Sequence, residues 1–220
     1  MNILVIGNQA NLDECKEKFG ETHRYTLQQD HHDIEGELHE KDVVFDFSVD
    51  DDPYQVEAYT NKPDIVFFLN TTKISLTMLS NLVNHQLPSI VYGFNGLPTF
   101  LNREVLEVCS LNHNANGLQS ICEMLNTKYL VVDDRVGLVT PRIICMIINE
   151  AYYTVQEGTA SREDIDKAMK LGTNYPYGPF EWCDRIGVHH VYELLEALHE
   201  DTRDERYKIC PLLKKEYLKL

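Results

Sequence analysis

The hydrophobic pattern of the chain changes character part-way along. In the first part short apolar runs recur between polar stretches: Ile3-Leu4-Val5-Ile6, Val43-Val44-Phe45, Ile65-Val66-Phe67-Phe68-Leu69 and Ile90-Val91-Tyr92. Short continuous runs of this kind read as parallel strands covered on both faces. Further strands are expected at 24–27 and 129–132, and helices at 13–19, 75–83 and 118–125. From residue 142 the period switches. Ile143, Ile144, Met146, Ile147, Ile148, Ala151, Tyr152 and Val155 make a helix that is apolar almost all round, a segment buried between layers or between subunits. Pro141 suits its first turn and Gly158 its end. Ser161, followed by Glu163, Asp164 and Asp166, caps a second helix that stops at Gly172. The turn-rich Tyr175-Pro176-Tyr177-Gly178-Pro179-Phe180 then re-aims the chain into a third. The pattern predicts an α/β domain with a parallel sheet over 1–132, followed by an all-α domain over 133–220.

Charge narrows the partners. With 35 acidic and 20 basic residues the chain carries a formal charge of −15, which excludes nucleic acid and anionic membranes. An anionic ligand would need a locally basic site or backbone donors. The six cysteines show no CxxC spacing and several fall among apolar neighbours, so reduced, buried thiols are expected. No basic region precedes the first apolar run and no stretch approaches membrane-spanning length, which points to a cytoplasmic protein.

The irregular positions are more specific. The run from Asn149 to Gly187 contains N-E-A, then E-G-x-A-S-x-E-D-I-D-K-A-M-K-L-G, then P-x-G-P-F-E-x-x-D-x-x-G. It resembles the C-terminal domain of the 3-hydroxyacyl-CoA dehydrogenases, with Pro211-Leu212-Leu213 matching a later landmark of that family. The strand, Gly7 turn and helix at the N-terminus form a Rossmann opening. The resemblance implies a truncated NAD-binding Rossmann-like domain and a homodimer formed through the α domain. It also implies the NAD-dependent interconversion of 3-hydroxyacyl-CoA and 3-oxoacyl-CoA.

The family's functional positions can be followed along the chain. Of the G-x-G-x-x-G fingerprint only Gly7 stands; Gln9 and Leu12 occupy the other two positions. The residue at the ribose-binding position is Gln29, and the nearest acid is Asp30, either a ribose ligand or a solvated loop acid. His31 and His32 lack a third ligand at sensible spacing and read as surface residues, so no metal is expected. Too few residues separate the second strand from 41–47 to hold the family's coenzyme A-binding hairpin, and Asp50-Asp51-Asp52-Pro53 reads as an exposed loop or cap. Asn70-Thr71-Thr72 resembles N-T-S-S, with Asn70 on the cofactor side and Thr72 at the substrate-contacting serine. The catalytic histidine position is Tyr92, its partner glutamate falls on Glu104, and Pro141 stands where the family has an asparagine.

A phenol with a pKa of about 10 is a poor base at neutrality beside an imidazole at about 6.5. An adjacent carboxylate would raise it further, and only Lys73 and Arg142 in the matched segments could lower it. NAD binding is therefore expected to be weak or lost, and catalysis weakened or lost. Two other readings stand beside this one. The chain could be a non-catalytic dimeric module that binds a small molecule or acyl thioester or engages a partner, or a dehydrogenase for a small hydroxy acid without coenzyme A.

Overall fold

A computed structural model of the chain describes residues 1–111 and 117–220. These form two compact units, Met1–Leu138 and Val139–Leu220.

The first unit is built on a seven-stranded sheet. Its strands are β1 (Asn2–Ile6), β2 (Arg24–Gln28), β3 (Val43–Asp46), β4 (Val66–Asn70), β5 (Val91–Phe94), β6 (Val105–Cys109) and β7 (Lys128–Val131), in the order β2-β1-β3-β4-β5-β6-β7. The first five are parallel; β6 pairs antiparallel with β5 and parallel with β7. The sheet is thus parallel in its larger part, with a reversed pair of strands at one edge. Strand β6 was not expected from the pattern, because Glu107 interrupts its apolar run. Around the sheet lie helices α1 (Gln9–Phe19), α2 (Ile34–Glu37), α3 (Leu76–Leu82) and α4 (Leu118–Met124), with a 3-10 helix at Pro53–Tyr59.

Alternation along the strands divides the core into two layers. Ile3, Val5, Phe45, Phe68, Tyr92 and Phe94 pack on one face with Leu12, Cys15 and Phe19 of α1 and Ile121 and Cys122 of α4. Leu4, Ile6, Val44, Phe67 and Leu69 pack on the other with Val56, Tyr59, Leu76 and Leu79. On the first face the rings form a ladder across neighbouring strands. Phe45 stacks on Phe68 at 4.8 Å and Phe68 lies 5.4 Å from Tyr92, following the register Phe45↔Phe68↔Tyr92. Cross-strand aromatic pairs of this kind are a main source of sheet stability.

The second unit is helical throughout: α5 (Thr140–Gln156), α6 (Arg162–Thr173), α7 (Pro179–Ile186), α8 (Val188–Thr202) and α9 (Pro211–Tyr217), with a short 3-10 turn at Glu205–Tyr207. Its polar motif residues have intramolecular partners. The Asp166 carboxylate accepts from Phe180 N at 2.8 Å and Glu181 N at 3.2 Å, capping α7. Asn149 accepts from Cys210 N and donates to Lys208 O, tying α5 to the α9 approach. Arg162 lies over Tyr152 and Phe180 and pairs with Glu216, which also accepts from Tyr152.

Two expectations for this unit change. Helix α6 runs one residue past the expected stop at Gly172, to Thr173, and Asn174 follows it in the left-handed conformation, which its amide side chain tolerates. Helix α5 is not buried all round within one chain: Ile143 is 53% exposed, and Met146 and Ile147 are half-buried. Phe180 and Trp182 lie in the interior of the unit. Among the described residues no helix is long and apolar enough to cross a membrane, and all six cysteines are free and buried.

Candidate functional site

In open α/β sheets ligands bind beyond the carboxyl ends of the strands, near the point where strand order reverses. Here that edge carries the Gly7 turn after β1, Gln29 to Asp33 after β2, Phe47 to Asp52 after β3, and Asn70 to Lys73 after β4.

The Gly7 turn is closed by the chain's own side chains. Asn8 N donates to Asn11 Oδ1 at 2.9 Å and Asn11 N donates to Asn8 Oδ1 at 3.1 Å, a reciprocal cap on α1. A Cβ on Gly7 would lie 2.5 Å from Asn11 Oδ1, so the Asn11 side chain lies directly against the turn. Gln9 is exposed and turns along the helix to Asp13, away from the turn. Leu12 is buried in the core between α1 and the sheet, so its bulk is accommodated rather than obstructive to the fold.

After β4 the polar groups are buried and mutually bonded. Asn70 Nδ2 donates to Phe47 O at 3.2 Å and lies 3.5 Å from Asp50 Oδ2. Its Oδ1 accepts from Thr72 Oγ1 and from Gly96 N. A Cβ on Gly96 would lie 2.7 Å from Asn70 Cγ, which explains a glycine at that approach. Thr72 is fully buried, and its carbonyl accepts from Gly137 N at 2.7 Å. Asp50, expected on an exposed loop, is instead buried, with Lys73 Nζ 3.5 Å from its carboxylate. Burial pushes its carboxyl up to about 7 even with the Lys73 ammonium pulling it down.

Tyr92 and Glu104 are not brought together. Tyr92 is the end of the aromatic ladder, 2% exposed, and burial raises its phenol above the ordinary value. A Cβ on Gly117 would lie 3.8 Å from its hydroxyl, placing that hydroxyl toward the start of α4. The antiparallel register sets Gly93 opposite Cys109, which leaves Glu104 beyond the far end of β6. There it is exposed and bonded to Lys128 Nζ at 2.5 Å, a contact that holds its carboxyl below the usual range. The acid that β6 carries into the sheet is Glu107, whose carbonyl accepts from Asn95 N. The alternation Leu106-Glu107-Val108 was the signal that could have found it. Of the two cations that could have lowered the phenol, Lys73 lies 3.5 Å from the Asp50 carboxylate and Arg142 donates to Tyr207 OH.

A cavity of about 560 Å³ opens at the same edge, lined by Gln29, Asp30, His31, His32, Asp33, Ser48, Asp51, Asp52 and Gln55. Asp30 is exposed and accepts from His32 N. His31 is not a surface residue, contrary to expectation. Its side chain is 8% exposed and its Nε2 lies 2.9 Å from Oδ2 of Asp46, which is fully buried. Tyr59 OH donates to the same oxygen at 2.8 Å, and Ser48 N donates to Oδ1. Burial alone would lower His31, but the hydrogen bond and charge of Asp46, with Asp52 and Asp30 nearby, carry it above its ordinary value. Nothing local signals this, since a histidine in a polar loop acquires its partner only through the fold.

Comparison with known proteins settles the lineage. Residues 137–219 match the family described as 3-hydroxyacyl-CoA dehydrogenase, C-terminal domain. The chain is 31% identical over 156 residues to the 3-hydroxybutyryl-CoA dehydrogenase of Bradyrhizobium diazoefficiens, covering 70% of this chain and 53% of that protein. It is 30% identical over 188 residues to the 3-hydroxybutyryl-CoA dehydrogenase of Clostridioides difficile, covering 81% of this chain and 66% of that one.

The chain belongs to the 3-hydroxyacyl-CoA dehydrogenase family.

The matches span between about half and two thirds of the length of these relatives. The fold is shared with the crystal structure of (S)-3-hydroxybutyryl-CoA dehydrogenase PaaH1 from Ralstonia eutropha, at a TM-score of 0.69 and 19% identity, covering 97% of this chain and 92% of that one. Within the family frame, Asn70 and Thr72 are bonded to each other, whereas Gly7, Tyr92 and Glu104 occupy separate surroundings. The fit to NAD divides along the same edge. Hydroxyl groups of a ribose would suit the amide and carboxylate lining of the cavity, but the turn that would cradle a pyrophosphate is closed by Asn8 and Asn11.

Proposed function

We propose that this protein is a ligand-binding member of the family in which NAD binding is weak and the interconversion of 3-hydroxyacyl-CoA and 3-oxoacyl-CoA is weakened or lost. The observation that carries the reading is the position of Tyr92. Its ring is the end member of a buried aromatic ladder, so the residue standing at the family's histidine serves the core. A lost general base costs about a hundred- to ten-thousand-fold in rate. Poor positioning of the reactants adds to that loss.

The reading includes assembly as a homodimer through the α unit. Ile143 at 53% and Leu171 at 78% exposure supply apolar surface for a partner copy. Light scattering giving a monomer at micromolar concentration would count against it.

The activity test is a paired assay of the wild type and Tyr92→His with acetoacetyl-CoA and NADH. Little or no NADH oxidation is expected from either, because an imidazole placed in the ladder faces the core and not Glu104. Robust turnover by the wild type, abolished in Glu104→Gln, would overturn the proposal. Calorimetry giving a low-micromolar dissociation constant for NADH would overturn its cofactor part.

A further inference from the structure

The seven-stranded sheet ends on two outer strands, β2 and β7, and they differ in what they show to solvent. On β2 the exposed residue is Arg24, and Tyr25 to Gln28 are half-buried. On β7 Leu130 is 54% and Val131 40% exposed. Val105 of β6, in register with Lys128, and Met124 of α4, the helix packed on β7, extend this apolar surface. An outer strand offers unpaired N–H and C=O groups to any further strand, and proteins commonly blunt such edges with charges or proline. Strand β7 carries one lysine, at its first position, and no proline. We propose that β7 is the docking strand for β7 of a second copy of this chain, paired antiparallel about a two-fold axis at Leu130.

The register follows from the backbone. Val132 N donates to Val108 O at 2.9 Å, and successive residues of a strand aim their backbone groups to opposite sides. Lys128 and Leu130 therefore bond toward β6, whereas Tyr129 and Val131 aim their N–H and C=O groups at the open edge. Antiparallel pairing then joins Tyr129 of each copy to the partner's Val131 by both N–H···O bonds. It sets Leu130 opposite the partner's Leu130 in a non-hydrogen-bonded position, with Cα atoms about 4.5 Å apart. The contact is isologous, so it closes as a pair rather than growing into a fibre. Charge selects the same direction. Each strand begins at Lys128 and runs into Asp133-Asp134, so an antiparallel pair lays the basic start of one strand along the acidic end of the other. A parallel pair would set like charges together. Head-to-tail contact would set Leu130 and Val131 against the more polar β2.

Sedimentation velocity of the full chain at micromolar concentration tests the pairing. Val131→Pro removes a donor that faces the open edge and none that serves β6, a change an outer strand tolerates. Leu130→Lys sets two ammonium groups across the axis. Each should lower the mass of the wild-type assembly about twofold, with thermal melts checking that the fold is kept. The contact through the α unit is separate from this one. Ile143→Lys should leave the β7 pair in place, and adding Leu130→Lys to it should give a monomer. Leu130→Cys reads the register itself and needs no disruption of the strand. The six native thiols are buried, and Cα atoms about 4.5 Å apart suit a disulfide. With oxidised glutathione Leu130→Cys should form a covalent dimer faster than Met78→Cys, at an exposed position on α3. A monomeric wild type would overturn the proposal. So would a mass that falls in Ile143→Lys but not in Leu130→Lys or Val131→Pro, and so would equal crosslinking of the two cysteine variants.

Discussion

The two units treat their polar motif residues in different ways. In the helical unit Asp166, Asn149, Ser161 and Glu181 stand at motif positions, and each has a structural duty: a cap on α7, a tie between α5 and the α9 approach, a cap on α6, and an acceptor for the Gly178 N–H at the start of α7. In the sheet unit the functional positions hold residues whose partners also lie within the chain. Asn11 caps the Gly7 turn through Asn8, Tyr92 joins the aromatic ladder, and Thr72 bonds Asn70. The difference teaches where a family pattern can change without loss of fold. A residue that caps a helix has a fixed partner, and replacing it costs stability whatever the protein does. A residue whose partner is a ligand has no such fixed partner within the chain.

The strongest way to break this comparison is to treat Tyr92 as the site residue that its position in the family suggests. If it belongs to the core, Tyr92→Ala should destabilise the protein by about 3–5 kcal/mol, the range for deleting a large buried aromatic. Tyr92→Phe should cost only about 1 kcal/mol, the net worth of one hydrogen bond. Urea unfolding with unchanged m-values would measure both. A loss in Tyr92→Ala below about 1 kcal/mol would place the ring outside the core.

Asp50 sharpens the comparison from the other side, because its burial opposes folding. Its carboxyl titrates at about 7 in the folded chain against an ordinary 3.8. Between those values the folded state holds a proton that the unfolded state has released, so stability falls as pH rises through that window and then levels off. Asp50→Asn removes the penalty. It should be more stable than the wild type at pH 8, by about 2–4 kcal/mol, with the difference shrinking toward pH 4. Thermal melts at several pH values would show it. A less stable Asp50→Asn at pH 8 would mean that the ion pair with Lys73 outweighs burial.

How much of this was legible beforehand depends on how far away each residue's partner lies. The continuous apolar run Ile3-Leu4-Val5-Ile6 is local, and it announces a strand buried on both faces. Pro141 and the Ser161 cap are local too, and they announced their helices. Asp50 and His31 were misread because charged and histidine-bearing loops are usually solvated, and their partners Lys73 and Asp46 reach them only through strand order. Tyr92 was placed correctly on its strand, but its ladder with Phe68 and Phe45 depends on the register of three strands. Glu104 was a counting result, and the unexpected β6 moved it out of the sheet.

In the helical unit Asp166→Ala offers the matching test of a motif residue with a structural duty. It would strip α7 of two charge-assisted bonds from Phe180 N and Glu181 N, for a loss of about 2 kcal/mol, the upper part of the range for an N-terminal cap. Asp166→Asn, which keeps acceptors in place, should recover part of it. Unfolding followed by Trp182 fluorescence would report on the right unit, since that ring is buried there.

The smallest expected effect belongs to Glu104. It is exposed, and its partner Lys128 is exposed as well, at side-chain values of 77% and 73%. A pair in that setting gains little, because water screens the attraction and two long side chains lose freedom to hold one geometry. Salt of physiological strength weakens it further. Glu104→Gln should therefore leave the unfolding midpoint unchanged within error at moderate salt. Nor should it alter any residual NADH oxidation, because the register of β6 separates it from Tyr92. The informative control is Glu107→Gln on the same strand, where the side chain is half-buried. If Glu104→Gln proved the more damaging of the two, the register of β6 would be wrong, and with it the argument that Tyr92 has left the site.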